Sequence, residues 1–62
     1  MRVGEWVRFL WWGPTKDGFQ VQEDSGTLVS HRFHKLIVAD VDKHGNAQNP
    51  RRYEQITILE IL

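Results

Sequence analysis

From Glu5 to Trp12 the chain reads Glu-Trp-Val-Arg-Phe-Leu-Trp-Trp, and Gly13-Pro14 follows. A run this rich in β-branched and aromatic residues predicts a strand closed by the Gly-Pro pair. Alternate residues of a strand share a face, so Glu5, Val7, Phe9 and Trp11 lie on one side and Trp6, Arg8, Leu10 and Trp12 on the other. The first set is the more continuously apolar, which places Val7, Phe9 and Trp11 in the core. Trp6, Leu10 and Trp12 then sit on the outer face, straddling Arg8. A bulge ahead of Gly13 would shift the register by one and exchange the roles of Trp11 and Trp12.

The same reading extends along the chain. Phe19-Gln20-Val21-Gln22 alternates with period two after the turn signal Lys16-Asp17-Gly18, and with the first strand it predicts a hairpin or a folded-back loop. Asp24-Ser25-Gly26 reads as a second turn. Thr27–His31 and the more buried Leu36–Val41 read as strands, with Arg32–Lys35 as a short connection. The polar stretch Asp42–Arg52 reads as a loop. In the last segment Ile56, Leu59 and Leu62 have helical spacing after the helix-start pair Asn49-Pro50. Ile56-Thr57-Ile58, however, is a β-branched run that loses rotamer freedom in a helix, so a strand is favoured, preceded by a 3₁₀ turn at Pro50–Tyr53. The expectation is one all-β domain over residues 1–62, a four- to five-stranded barrel or rolled antiparallel sheet.

The succession of a Gly-Glu-Trp-Val-Arg-Phe strand, a long loop, Ser-Gly-Thr-Leu-Val-Ser, a closely joined Lys-Leu-Ile-Val-Ala-Asp-Val-Asp and a final Ile-Thr-Ile-Leu-Glu-Ile resembles the SH3-like small barrels. The resemblance covers nearly the whole chain and implies the barrel fold. It does not imply proline-rich ligands, because the acidic and aromatic motif with which eukaryotic SH3 domains grip them has no counterpart here.

Composition changes the picture in three ways. With 62 residues the folded chain hides only about 60% of the surface it would expose unfolded. With no cysteine, packing or self-association must replace the disulfides and thiolate metal sites that staple other small domains. Eight basic residues balance eight acidic ones, which removes the overall attraction expected of a dedicated nucleic-acid binder and eases self-association. The longest apolar runs fall far short of the ~20 residues of a membrane span, and the N-terminus has no apolar signal core, so a cytoplasmic protein is expected.

Two surfaces carry candidate chemistry. An outer face bearing Trp6, Leu10 and Trp12, with Pro14 and Phe19 at its edge, has the aromatic and arginine make-up of a protein-binding hot spot. Either it is exposed and binds another protein or a second copy, or residues 13–26 or the C-terminal strand fold across it. Arg51-Arg52-Tyr53 could hold a phosphate and stack a base, with Arg8, Arg32 and Lys35 extending the basic strip. The plainer reading of that trio is a solvated loop end with Tyr53 packed on the rim. Asp40, Asp42 and His44 share a face in a straight strand but read as its solvent side, and His31 and His34 point to opposite faces, so no metal is expected. The five glycines are scattered at turns and form no phosphate loop, and no cofactor is expected. The leading expectation is a non-enzymatic interaction module. A nucleic-acid-binding accessory domain is the alternative, and an enzyme built only at an oligomer axis ranks last.

Overall fold

The computed structural model describes residues 1–62 as β1 (Trp6–Thr15), β2 (Gly18–Ser30), β3 (Lys35–Val41), β4 (Ala47–Glu54), a 3₁₀ turn (Gln55–Thr57) and β5 (Ile58–Ile61). All pairings are antiparallel, in the sheet order β4-β3-β2-β1-β5. The link from β4 to β5 dictates the shape. Glu54 and Ile58 are four Cα steps apart, at most about 15 Å, whereas a flat five-stranded sheet sets its outermost strands about 19 Å apart. The sheet must therefore curl, and its concave face holds the core. Val7, Phe9, Leu28, Leu36 and Val38 are buried there, with Trp11, Tyr53 and Ile58 packed against them.

The all-β class, the strand count and the 3₁₀ turn before the last strand are as expected, but several boundaries move. Gly13-Pro14 does not close β1, which runs on to Thr15 opposite Gly18. Asp24-Ser25-Gly26 is not a turn: β2 passes straight through it, pairing Asp24 with Phe9 and Gly26 with Val7. The Asp24 carboxylate accepts from the Ser25 N–H at 2.8 Å, a local bond of the turn-forming kind, yet its other partners across the sheet hold the backbone extended.

Residues 42–52 are also not one loop. Asp42 folds a short turn by accepting from the backbone N–H of His44 and of Asn46, each at 2.9 Å, and the chain returns as β4. Asn49 and Pro50 sit where the β3–β4 register slips between Val38 and Asp40. Asn49 adopts φ +52°, and β4 is an edge strand, so a bulge there accommodates a proline that a central position would reject. The 3₁₀ turn falls at Gln55–Thr57, not Pro50–Tyr53, and absorbs the first two residues of the Ile-Thr-Ile run. The Gln55 N–H donates to the His34 carbonyl at 2.7 Å, which pins the turn beneath the β2–β3 connection.

That connection is closed by Lys35 N–H donating to the Arg32 carbonyl at 3.0 Å, with Phe33 at φ +55° and His34 at φ +63°. Two left-handed central residues make a type I′ turn, for which Asn-Gly is the favoured pair, and each side chain with a Cβ is strained there. Replacing Phe33 with Asn and His34 with Gly together is expected to raise stability by about 1 kcal/mol, read as a higher urea midpoint at unchanged slope. A lowered midpoint would mean that packing of the Phe33 ring, although 88% exposed, outweighs the strain of its backbone.

Candidate partner-binding face

The parity of β1 is kept along the whole ladder with β2: Trp6 opposes Thr27, Arg8 Ser25, Leu10 Glu23, Trp12 Val21 and Pro14 Phe19, with no slip. The one irregularity on β1 lies between Leu10 and Trp11 in its pairing with β5 and leaves the tryptophans in place. Trp11 accordingly faces inward, its ring edge-on to Tyr53 with centroids 4.7 Å apart. It also lies flat over Gly13, where an added Cβ would stand 1.9 Å from the indole ring. Only glycine leaves room for the ring. The indole N–H is buried without a hydrogen-bond partner.

Trp12 faces outward and stacks on Phe19 at 6.3 Å and 24°. The stack is exposed, Trp12 at 46% and Phe19 at 61%, beside the equally open Val21. Residues 13–26 do not fold across this face, because they are the ribbon that carries it. β5 pairs with β1 only from Phe9 to Trp11 and β3 meets β2 only from Thr27 onward, so beyond Trp12 the hairpin is a two-stranded arm. The molecule is correspondingly long, 37 × 23 × 20 Å.

Trp6, 62% exposed, stands at the other end of the same face. Between the two tryptophans lie half-buried Leu10 and Arg8, whose guanidinium meets Glu23 at 4.0 Å in open solvent. A pair so exposed adds little to stability. Trp6 borders a shallow cleft with Ser25, Gly26, Thr27, Ala39 and Val41. The five residues of the aromatic face thus form two parts: Trp12, Pro14 and Phe19 joined by Val21 on the arm, and Trp6 apart from them, with Leu10 between.

The basic candidates are dispersed. Arg51 reaches across β3 on the concave face: its Nε donates to Asp24 Oδ2 at 3.0 Å, Nη1 to Asp40 Oδ1 at 3.1 Å and to the Asn49 carbonyl at 2.7 Å, and Nη2 to the Ser25 carbonyl at 2.7 Å. Gly26 permits this approach, since a Cβ there would sit 3.0 Å from Nη2 and 3.1 Å from the Ala39 carbonyl. The Tyr53 hydroxyl donates to the same Asp24 carboxylate. Arg52 turns to the opposite face of β4, Lys35 pairs with Glu54, and Arg32 lies in the exposed turn. Arg51 and Tyr53 therefore meet each other around Asp24, and Arg8, Arg32, Lys35 and Arg52 do not join them. No three His, Asp or Glu side chains are grouped to hold a metal.

The electrostatics of this clasp are mutual. Burial pushes the Asp24 carboxyl up, but hydrogen bonds from Arg51, Tyr53 and the Ser25 N–H outweigh it and hold it below its ordinary value. The hydrogen bond to Asp24 raises Arg51 against the opposing effect of burial. Burial first, then the bond to Asp24, pushes the Tyr53 phenol up to about 12. Sequence reasoning missed the clasp, for Asp24 read as a turn residue and Arg51 as a loop cation, and nothing local links positions 27 apart. The alternation Phe19-Gln20-Val21-Gln22 puts Val21 on the same side as Phe19, which is the local signal that joins it to this face.

No known protein family matches the chain, no curated protein is similar to it, and no solved structure matches its fold.

Tyr53 is the single tyrosine, so phenolate absorbance follows this one group, and its midpoint registers both its burial and its bond to Asp24. The midpoint is expected near pH 12 in the wild type and lower in Asp24→Asn; a wild-type midpoint at 10.0 would remove both the burial and the bond, and an unchanged midpoint in Asp24→Asn would remove the bond. The signs of the stability effects follow. Tyr53, raised in the folded state, stabilises fully below pH 10.0, and that contribution is lost as pH climbs towards about 12. Asp24, lowered in the folded state, stabilises above its unfolded value of 3.8 and loses that contribution as pH falls below it. Asp24→Asn should cost about 1–3 kcal/mol at neutral pH and flatten the acid limb of the stability curve.

Proposed function

We propose that this protein is a non-enzymatic interaction module with an SH3-like small-barrel fold, and that it binds another protein or a second copy of itself through the outer face of β1 and its ribbon. The barrel reading is supported by the curled order β4-β3-β2-β1-β5 and by the 3₁₀ turn that carries the chain from β4 to β5.

The observation that carries the function is the Trp12–Phe19 stack, exposed on a two-stranded arm. Isolated two-stranded ribbons are marginally stable in water, and aromatic side chains held rigid and unburied on one are suited to fill a partner's pocket. The clasp counts in the same direction. Arg51 and Tyr53, which a nucleic acid would need for phosphate contact and base stacking, are engaged with Asp24 instead.

Quencher titration of the tryptophan fluorescence tests the surface first. Trp6 and Trp12 should be accessible and Trp11 shielded, so roughly two-thirds of the emission is quenched at equal quantum yields. Replacing Trp12 and Phe19 with Ser together should abolish partner binding and change stability by no more than about 0.5 kcal/mol, as for exposed positions. Full shielding in a strict monomer, or binding that survives the double substitution, would sink the reading.

A further inference from the structure

β1 occupies one side of β2 from Gly18 to Thr27, whereas β3 takes the other side only at Thr27, Leu28 and Ser30. The outer edge of Phe19–Asp24 is left without a neighbouring strand. Hydrogen-bonding parity says which groups stand open there. The Leu28 N–H donates to the Glu5 carbonyl at 2.8 Å, so even-numbered residues of β2 face β1. Phe19, Val21 and Glu23 turn their N–H and C=O groups away from it. On β1 the outward residues are the even-numbered ones, as the bond of 2.8 Å from Leu62 N–H to the Arg8 carbonyl shows. Pro14 is among them and offers no N–H. One edge of the ribbon is thus guarded by proline, and the other, Phe19-Gln20-Val21-Gln22, carries neither proline nor charge.

We propose that this edge pairs antiparallel with the same edge of a second copy, about a two-fold axis through Val21. The proposal rests on the interaction reading above and specifies its partner. Register is what favours a second copy. Centred on Val21, the pairing sets Gln20 against Gln22 on one face, Val21 against Val21 and Phe19 against Glu23 on the other, and Asp17 against Ser25. No like charges meet, and the new strand ends before Thr27, where β3 begins.

Shifting the axis to Gln20 brings Asp17 opposite Glu23, a destabilising pair. Shifting it to Gln22 drives Asp17 against Thr27, whose edge Ala39 already occupies. Of the three registers centred on Gln20, Val21 and Gln22, the one on Val21 alone avoids both the like-charge pair and the occupied edge. Pairing there is isologous, as closed dimers require, and places both Trp12–Phe19 stacks on one continuous face. A balance of eight basic and eight acidic residues sets up no overall repulsion between copies.

Val21→Lys and Val21→Glu provide the test, because each places like charges across the axis while an equimolar mixture places opposite ones there. Val21 is 53% exposed, so both variants should fold, with Tyr53 titration as the control. The wild type should form dimers of the 7.3 kDa chain by light scattering. Each variant alone should dissociate at concentrations at least about tenfold higher, and mixing should restore association as a heterodimer. Val21→Pro, which removes an N–H that β1 does not use, should weaken dimers likewise. A wild type still monomeric at about 1 mM overturns the pairing and leaves the aromatic face to a different protein. Dimers that resist all three Val21 variants but vanish with the Trp12 and Phe19 serines overturn edge pairing and keep the face. Failure of the mixture to recover overturns the Val21 axis.

Discussion

A single carboxylate, Asp24, ties the central strand β2 to the edge strand β4 across the concave face of the curled sheet. It sits on β2, and the side chains that reach it come from β4: the Arg51 guanidinium and the Tyr53 hydroxyl. Tyr53 in turn lies edge-on to Phe9 at 5.2 Å and to Trp11, both on β1. Three strands are thereby joined across the concave face by one charge, one ring and their neighbours. The arrangement is only partly dry, with Asp24 and Arg51 side chains each 23% exposed. At that burial, leaving one partner alone is more damaging than the pair is stabilising.

The clasp also explains how so small a core suffices. Five buried apolar side chains would give a loose sandwich if the sheet lay flat. Curling lets Trp11, Tyr53 and Ile58 cover the open side, and β4 needs no hydrogen bonds to β5 to do so. What remains outside this closure is the arm, whose backbone is ordered by its own ladder and whose outer face stays exposed.

How much of this was legible in the sequence depends on the range of the interaction. The parity of Val7, Phe9 and Trp11 against Trp6, Leu10 and Trp12 needed only period-two alternation, and the Asp17-Gly18 signal placed the hairpin turn correctly. Asp24-Ser25-Gly26 misled because its composition favours a turn locally, while Arg51 and Tyr53, far along the chain, hold it extended. Asn49-Pro50 misled in the opposite sense: a pair that reads as a loop is tolerated as a bulge on an edge strand. The outer face could be named residue by residue. Whether it would be covered depended on how far β3 and β5 extend beside the hairpin, a matter of sheet geometry without a local signal.

The arm and the clasp also differ in when they can form. The β1–β2 ribbon closes around a two-residue turn, a local event on the microsecond scale. The clasp joins Asp24 to Arg51, and Phe9 to Tyr53, across most of the chain, and such non-local closure carries the entropy that slows small β proteins. The ribbon therefore stands complete, with its uncharged edge open, while the sheet is still uncurled. In a crowded solution the race between β4 arriving over the core and another chain arriving at that edge makes folding yield a function of concentration as well as of stability.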